Sequence, residues 1–148
     1  KAEKGRHAMK VRHVGITVTN PERSAKFYRD IFGFTIKVEM DESGEHIDNF
    51  SGLNGVDVRT IKMSSDDGSL IELLHYRSHP KTTEDRDITH IGCSHFALTV
   101  DNLQEVYDNL KDWGVEILCE PQYSPDGKVK LTFCKDPDGT LIELVEEL

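Results

Sequence analysis

Cysteine is scarce in this chain. Cys93, Cys119 and Cys134 are odd in number and lack CxxC spacing, which argues against both a disulfide framework and a zinc finger. A reducing cytoplasm is the expected compartment. Long apolar runs are missing as well: no stretch approaches the ~20 residues needed to span a bilayer, and the amino terminus shows no signal-peptide hydrophobic region. Positive charge is in deficit, since 18 Lys and Arg stand against 27 Asp and Glu for a formal net charge of −9. Nucleic acid and anionic membranes are therefore poor partners. Residues 1–8 are polar and patternless and are read as an appended leader, with Met9 as the natural start. The remaining 9–148 are expected to form one domain with a core that needs no covalent staple.

What the chain does contain is an internal duplication, which governs how every other motif is read. His13-Val-Gly-Ile-Thr-Val-Thr-Asn20 aligns with His95-Phe-Ala-Leu-Thr-Val-Asp-Asn102, and Asp67-Gly-Ser-Leu-Ile-Glu-Leu73 with Asp138-Gly-Thr-Leu-Ile-Glu-Leu144. Hydrophobic period and turn residues give each half the order strand, helix, strand, strand, strand. The first helix has Asn20 as cap, Pro21 in its first turn, a stripe of Ala25, Tyr28, Ile31 and Phe32, and Gly33 as stop. The second has Asp101 as cap, a stripe of Leu103, Val106, Tyr107, Leu110 and Trp113, and Gly114 as stop. Later strands are expected over 35–40, 58–63, 70–76, 115–120, 129–134 and 140–145, with Asp67-Gly68 and Asp138-Gly139 at hairpin turns. The fold class is α+β: tandem βαβββ modules, 11–76 and 91–146 with a linker over 77–90, forming a curved mixed sheet around a metal-binding cavity. The first half is longer, and most of its excess lies in Asp41 to Gly55, a polar segment read as a loop or short helix.

Alternation along a strand puts Glu72 on the face of Leu70 and Leu74, and Glu143 on the face of Leu141 and Val145. Burying a carboxylate among apolar side chains is costly unless it is paired, neutralised or bound to metal, so its occurrence in both copies calls for a reason. His13 shares a face with Gly15 and Thr17, and His95 with Ala97 and Thr99, small neighbours that leave a hollow. The opposite faces, Val14, Ile16 and Val18 in one copy and Phe96, Leu98 and Val100 in the other, suit packing beneath the helices. One divalent ion held by His13, Glu72, His95 and Glu143 accounts for all four. Two imidazoles and two carboxylates suit Zn, Ni, Co, Mn or Fe and leave positions free for substrate oxygens. No organic cofactor is expected. Of the other histidines only His46, in the insertion beside Glu45 and Asp48, is a weak candidate for the cavity.

These motifs, together with Asn20-Pro-Glu-Arg-Ser-Ala-Lys-Phe-Tyr28 and Asp136-Pro-Asp-Gly-Thr-Leu-Ile-Glu143, resemble the vicinal oxygen chelate superfamily over Val11 to Glu146. That group includes glyoxalase I, methylmalonyl-CoA epimerase, extradiol dioxygenases, and fosfomycin and bleomycin resistance proteins. The order His, Glu, His, Glu is most similar to glyoxalase I-like proteins. The resemblance implies a lyase or isomerase working through a metal-bound enediolate on a small α-hydroxy or α-keto substrate, with Glu143 or Glu72 as the base. It also implies a homodimer, with the cavity closed either within one chain or across two. Two alternatives are an Fe(II) extradiol-type dioxygenase using His13, His95 and Glu143, and a non-catalytic resistance module that sequesters a small molecule. Glyoxalase I carries Arg and Asn for glutathione where this chain has Thr17 and Tyr76, a departure that argues against assuming that cosubstrate.

Overall fold

A computed structural model describes residues 8–148; residues 1–7, most of the segment expected to be an appended leader, lie outside the described residues. The strands are β1 (Val14–Thr17), β2 (Thr35–Ser43), β3 (Asp57–Ser64), β4 (Leu70–Tyr76), β5 (His95–Thr99), β6 (Gln122–Tyr123), β7 (Val129–Lys135) and β8 (Leu141–Glu147). The helices are α1 (Pro21–Phe32), α2 (Glu45–Ser51) and α3 (Leu103–Asp112). Hydrogen bonding divides the strands into two four-stranded mixed sheets, ordered β1-β4-β3-β2 and β5-β8-β7-β6. In each, the first strand lies parallel to the last, in the registers Gly15 on Glu72 and Ala97 on Glu143.

Local chemistry explains the elements. The Asn20 side chain accepts from the Arg23 amide and Gly33 closes α1 at φ 74, a left-handed conformation that a side chain would strain. The second cap is a correction. Asn102, not Asp101, caps α3, accepting from the Glu105 amide, because a capping oxygen must reach a donor two or three residues on. A second correction concerns 115–120, where only Ile117 makes a bridge, to Cys134. Pro121 follows and has no N–H to donate, so the ladder resumes beyond it as the short β6. The Asp41 to Gly55 excess resolves into the end of β2, α2 and a tight return stabilised by Asp48, which accepts from the Gly55 and Val56 amides. At the β3–β4 turn, the Ser65 hydroxyl and the Ser69 amide and hydroxyl hold the Asp67 carboxyl down at about 2.

The helix-facing sides of both sheets share one core. Ile16, Val18, Ala25, Phe27, Tyr28, Ile61 and Leu73 from the first half join Leu103, Leu110, Ile142 and Leu144 from the second. Each fully buried aliphatic side chain contributes about 1.5–3 kcal/mol. Phe27, absent from the expected stripe, is buried because α1 faces α3 as well as its own sheet. Trp113, expected in the α3 stripe, is half exposed, with Lys26 Nζ 5.9 Å from its ring centroid.

A polar joint fastens the halves inside this core. Tyr28, with no exposed surface, donates to Asp136 Oδ2 at 2.8 Å, while Asp136 Oδ1 accepts from the Asp138 and Thr140 amides. Asp138 in turn accepts from the Thr19 amide and hydroxyl and pairs with Arg23 at 3.2 Å. Burial pushes the Asp136 carboxyl above its ordinary range, and burial beside Asp136 pushes the Tyr28 phenol well up. Because the folded Asp136 value is raised, its ionisation opposes folding: that penalty is absent below the unfolded value near pH ~4 and grows as pH rises through the folded value. Tyr28→Phe removes a donor to the carboxylate. It should cost about 1.5–3 kcal/mol once Asp136 is ionised, the usual worth of a hydrogen bond to a charged group. Urea unfolding across pH should show that deficit widening as pH rises through the raised folded value of Asp136, where the carboxylate that Tyr28 supports becomes charged.

Candidate metal centre

The parallel registers place one imidazole beside one carboxylate on each sheet. His13 stands just before β1, and its Nε2 lies 2.5 Å from Glu72 Oε2; His95 opens β5, and its Nε2 lies 3.4 Å from Glu143 Oε2. All four side chains are partly exposed, at 36% and 15% for the first pair and 34% and 23% for the second. They are reachable from solvent, not locked in the core.

The two pairs do not merge within the described residues of one chain. No third His, Cys, Asp or Glu joins either pair to make a group able to hold a metal. His13 opens on a cavity of about 950 Å³ shared with Phe96 to Asp101, and His95 on a separate one of about 330 Å³ shared with Val14 to Thr17. Each pair nevertheless fits half a metal site by donor chemistry. An imidazole nitrogen and a carboxylate oxygen are ligands for Zn, Ni, Co, Mn or Fe, and two such pairs balance a dication.

Two further side chains condition the pairs. Ser94 Oγ lies 2.8 Å from His95 Nδ1, which fixes the ring and leaves Nε2 toward Glu143, the kind of support that orients metal-binding histidines. Lys62 Nζ lies 3.5 Å from Glu72 Oε1, because β3 pairs Lys62 with Glu72. The corresponding partner of Glu143 is Phe133, whose ring centroid stands 5.3 Å from that of His95, edge to face. Neither Ser94 nor Lys62 was singled out from the sequence. Lys62 is legible there only once β3 and β4 are registered from the Asp67-Gly68 turn.

The face bearing Glu72 continues along β4 through Leu74 to Tyr76. There α2 closes it, with Ile47 buried against Val56, Val58, Leu74 and Tyr76. Tyr76 is thus a packing residue. His46 is exposed, edge-on to Phe50 at 5.2 Å, and belongs to neither pair. Cys93, Cys119 and Cys134 are free thiols, and burial pushes the Cys134 thiol up to about 12. Among the described residues no helix is long and apolar enough to cross a membrane.

Known proteins are similar to this chain in fold and in sequence. A glyoxalase family protein from Bacillus cereus superposes with a TM-score of 0.86 at 25% identity, covering 99% of each chain. In sequence, a "probable lactoylglutathione lyase" of Synechocystis is 30% identical over 135 residues, 90% of this chain and 92% of that one. The Escherichia coli protein YaeR is 30% identical over 141 residues, 93% and 95% of the two chains. The profile of the glyoxalase, bleomycin resistance protein and dioxygenase superfamily matches residues 10–144. A duplicated module with a His–Glu pair on each sheet, matched almost end to end by that profile, makes the chain a member of the glyoxalase/bleomycin resistance protein/dioxygenase superfamily.

Proposed function

We propose that this protein is a divalent-metal-dependent lyase or isomerase of the glyoxalase I type, acting on a small α-hydroxy or α-keto substrate. The observation that carries this reading is the repeated His–Glu pair, His13 with Glu72 and His95 with Glu143. Since each pair supplies two donors and no third joins it among the described residues, the site is completed by a second copy. His13 and Glu72 of one chain would meet His95 and Glu143 of the other, and a twofold homodimer would carry two equal sites. The bound ion would offset the negative charge that develops on substrate oxygens as an α-proton leaves.

The chain's own groups do the rest. Glu143 has His95 as its ion-pair partner, at 3.4 Å, whereas Glu72 is held by both His13 and Lys62. Glu143 is therefore the carboxylate freer to accept the α-proton and return it, a transfer that contributes typically ~10²–10⁴-fold. His95, oriented by Ser94, keeps that carboxylate in place. Glutathione, which the Synechocystis relative's name includes, lacks its expected contacts in this chain: Thr17 and Tyr76 stand where Arg and Asn are expected, and Tyr76 is packed against Ile47. The free thiols suit a reducing cytoplasm.

Three outcomes are expected. Glu72→Gln should weaken metal binding by at least about tenfold as read by native mass spectrometry, and unchanged stoichiometry would remove Glu72 from the site. Metal-loaded protein in deuterium oxide should exchange the α-proton of at least one member of a panel of α-hydroxy and α-keto acids, followed by proton NMR. Silence across the panel overturns the proposed chemistry. Finally, a chain carrying His13→Ala and Glu72→Gln and one carrying His95→Ala and Glu143→Gln should each lose metal. Unfolded and refolded together in equal amounts, they should regain about a quarter of wild-type content, because half the dimers then hold one intact site of two. No recovery would place the whole site within one chain.

A further inference from the structure

The two half-sites are not chemically equivalent. At the strand position directly across from the metal-site carboxylate, the first module has Lys62 and the second Phe133. A duplication supplies the same position twice, so a cation in one copy and an aromatic ring in the other set a charge beside one half-site and an apolar surface beside the other.

Lys62 has spare bonding capacity. An ammonium carries three donors, and among the described residues its ion-pair partner is Glu72 at 3.5 Å, beyond good hydrogen-bond length. Its side chain is 41% exposed, open to a ligand on the site face. The neighbours across and along that face are Val38 on β2, with Met40 and Thr60 beyond, none of which is anionic. A metal ion on Glu72 would draw that carboxylate's charge away from Lys62 and leave a cation unpaired beside the reacting centre. A pairing made only to neutralise Glu72 would contribute little at such exposure, ~0–1 kcal/mol.

Space limits the ligand too. Ile47, Val58, Leu74 and Tyr76 fill the far end of the Glu72 face, so a long substituent has no room to run along β4 in that direction. The geometry points to Lys62 as a substrate-recognition residue that binds a terminal oxyanion, carboxylate or phosphate, on a short substrate whose vicinal oxygens face the metal. This rests on the metal-dependent function proposed above and specifies its substrate class.

Calorimetry on zinc-loaded protein with three hydroxamic acids tests it: acetohydroxamic acid with a neutral tail, succinohydroxamic acid with a carboxylate, and phosphonoacetohydroxamic acid with a phosphonate. Wild type should bind at least one charged probe about tenfold more tightly than the neutral one, the worth of one charge-assisted hydrogen bond, and the preferred probe identifies the oxyanion. Lys62→Met should abolish that preference while leaving acetohydroxamic acid affinity and zinc content within about twofold, and Lys62→Arg should restore it. Absence of preference in wild type, a preference that survives Lys62→Met, or equal weakening of all three probes each overturns the assignment. Failure of the wild type to hold zinc or to bind the neutral probe instead overturns the underlying metal reading, and the role of Lys62 with it.

Discussion

The parallel seating of β1 on β4, repeated as β5 on β8, is the constraint from which the rest of the molecule follows. Parallel neighbours need a crossover, and α1 and α3 begin those crossovers, so each sheet has one face covered by a helix and the other open. Strand alternation then leaves little choice. Val14, Ile16 and Val18 go under α1, and Gly15 comes beside Glu72 on the open face with His13 just ahead of it. The same seating puts His95 with Glu143. A one-residue slip of β1 would turn its apolar residues outward and separate the pair, so core packing and site geometry are enforced by one register.

How much of this was visible in the residues depends on how local the deciding interaction is. Asn20, Pro21 and Gly33 act within one turn of chain, and α1 follows from them directly. The duplicated Asp-Gly turns set the β3–β4 and β7–β8 hairpins, and with them the faces of Glu72 and Glu143. The misplacements occur where something distant decides. Pro121 breaks the ladder that Val115 to Glu120 would otherwise have formed. Phe27 is buried where α1 meets the neighbouring module as well as its own sheet. For the site, the repeat foretold the two His–Glu neighbours. It carried no information on whether the pairs would meet in one chain, since that depends on how two rigid halves dock. Ser94 and Lys62 escaped notice because neither is repeated.

Docking of the halves is itself a specific event and not a generic apolar collapse. Tyr28 and Asp136 form a buried polar pair that is satisfied only when the β7–β8 turn lies over α1, and the Asp138 contacts to Thr19 and Arg23 work only in the same arrangement. Leaving either partner unpaired in the interior would be expensive. The joint therefore selects one mutual orientation of the modules among the many that hydrophobic burial alone would tolerate.

The outer margin of β2 has a consequence of a different kind. It is a long strand, Thr35–Ser43, at the rim of its sheet, with Ile36 and Val38 exposed, and such a rim offers unpaired backbone groups to any extended chain that drifts past. Lys37, Glu39, Asp41 and Glu42 punctuate this strand with charge, and the register breaks between Ile36 and Val38, bending the ladder just where its apolar residues begin. Open β-rims seed insoluble assemblies unless something spoils the template, and in this protein the irregularity and the charges spoil it. The face bearing the His–Glu pair can thus stay open to small molecules while its border stays closed to other strands.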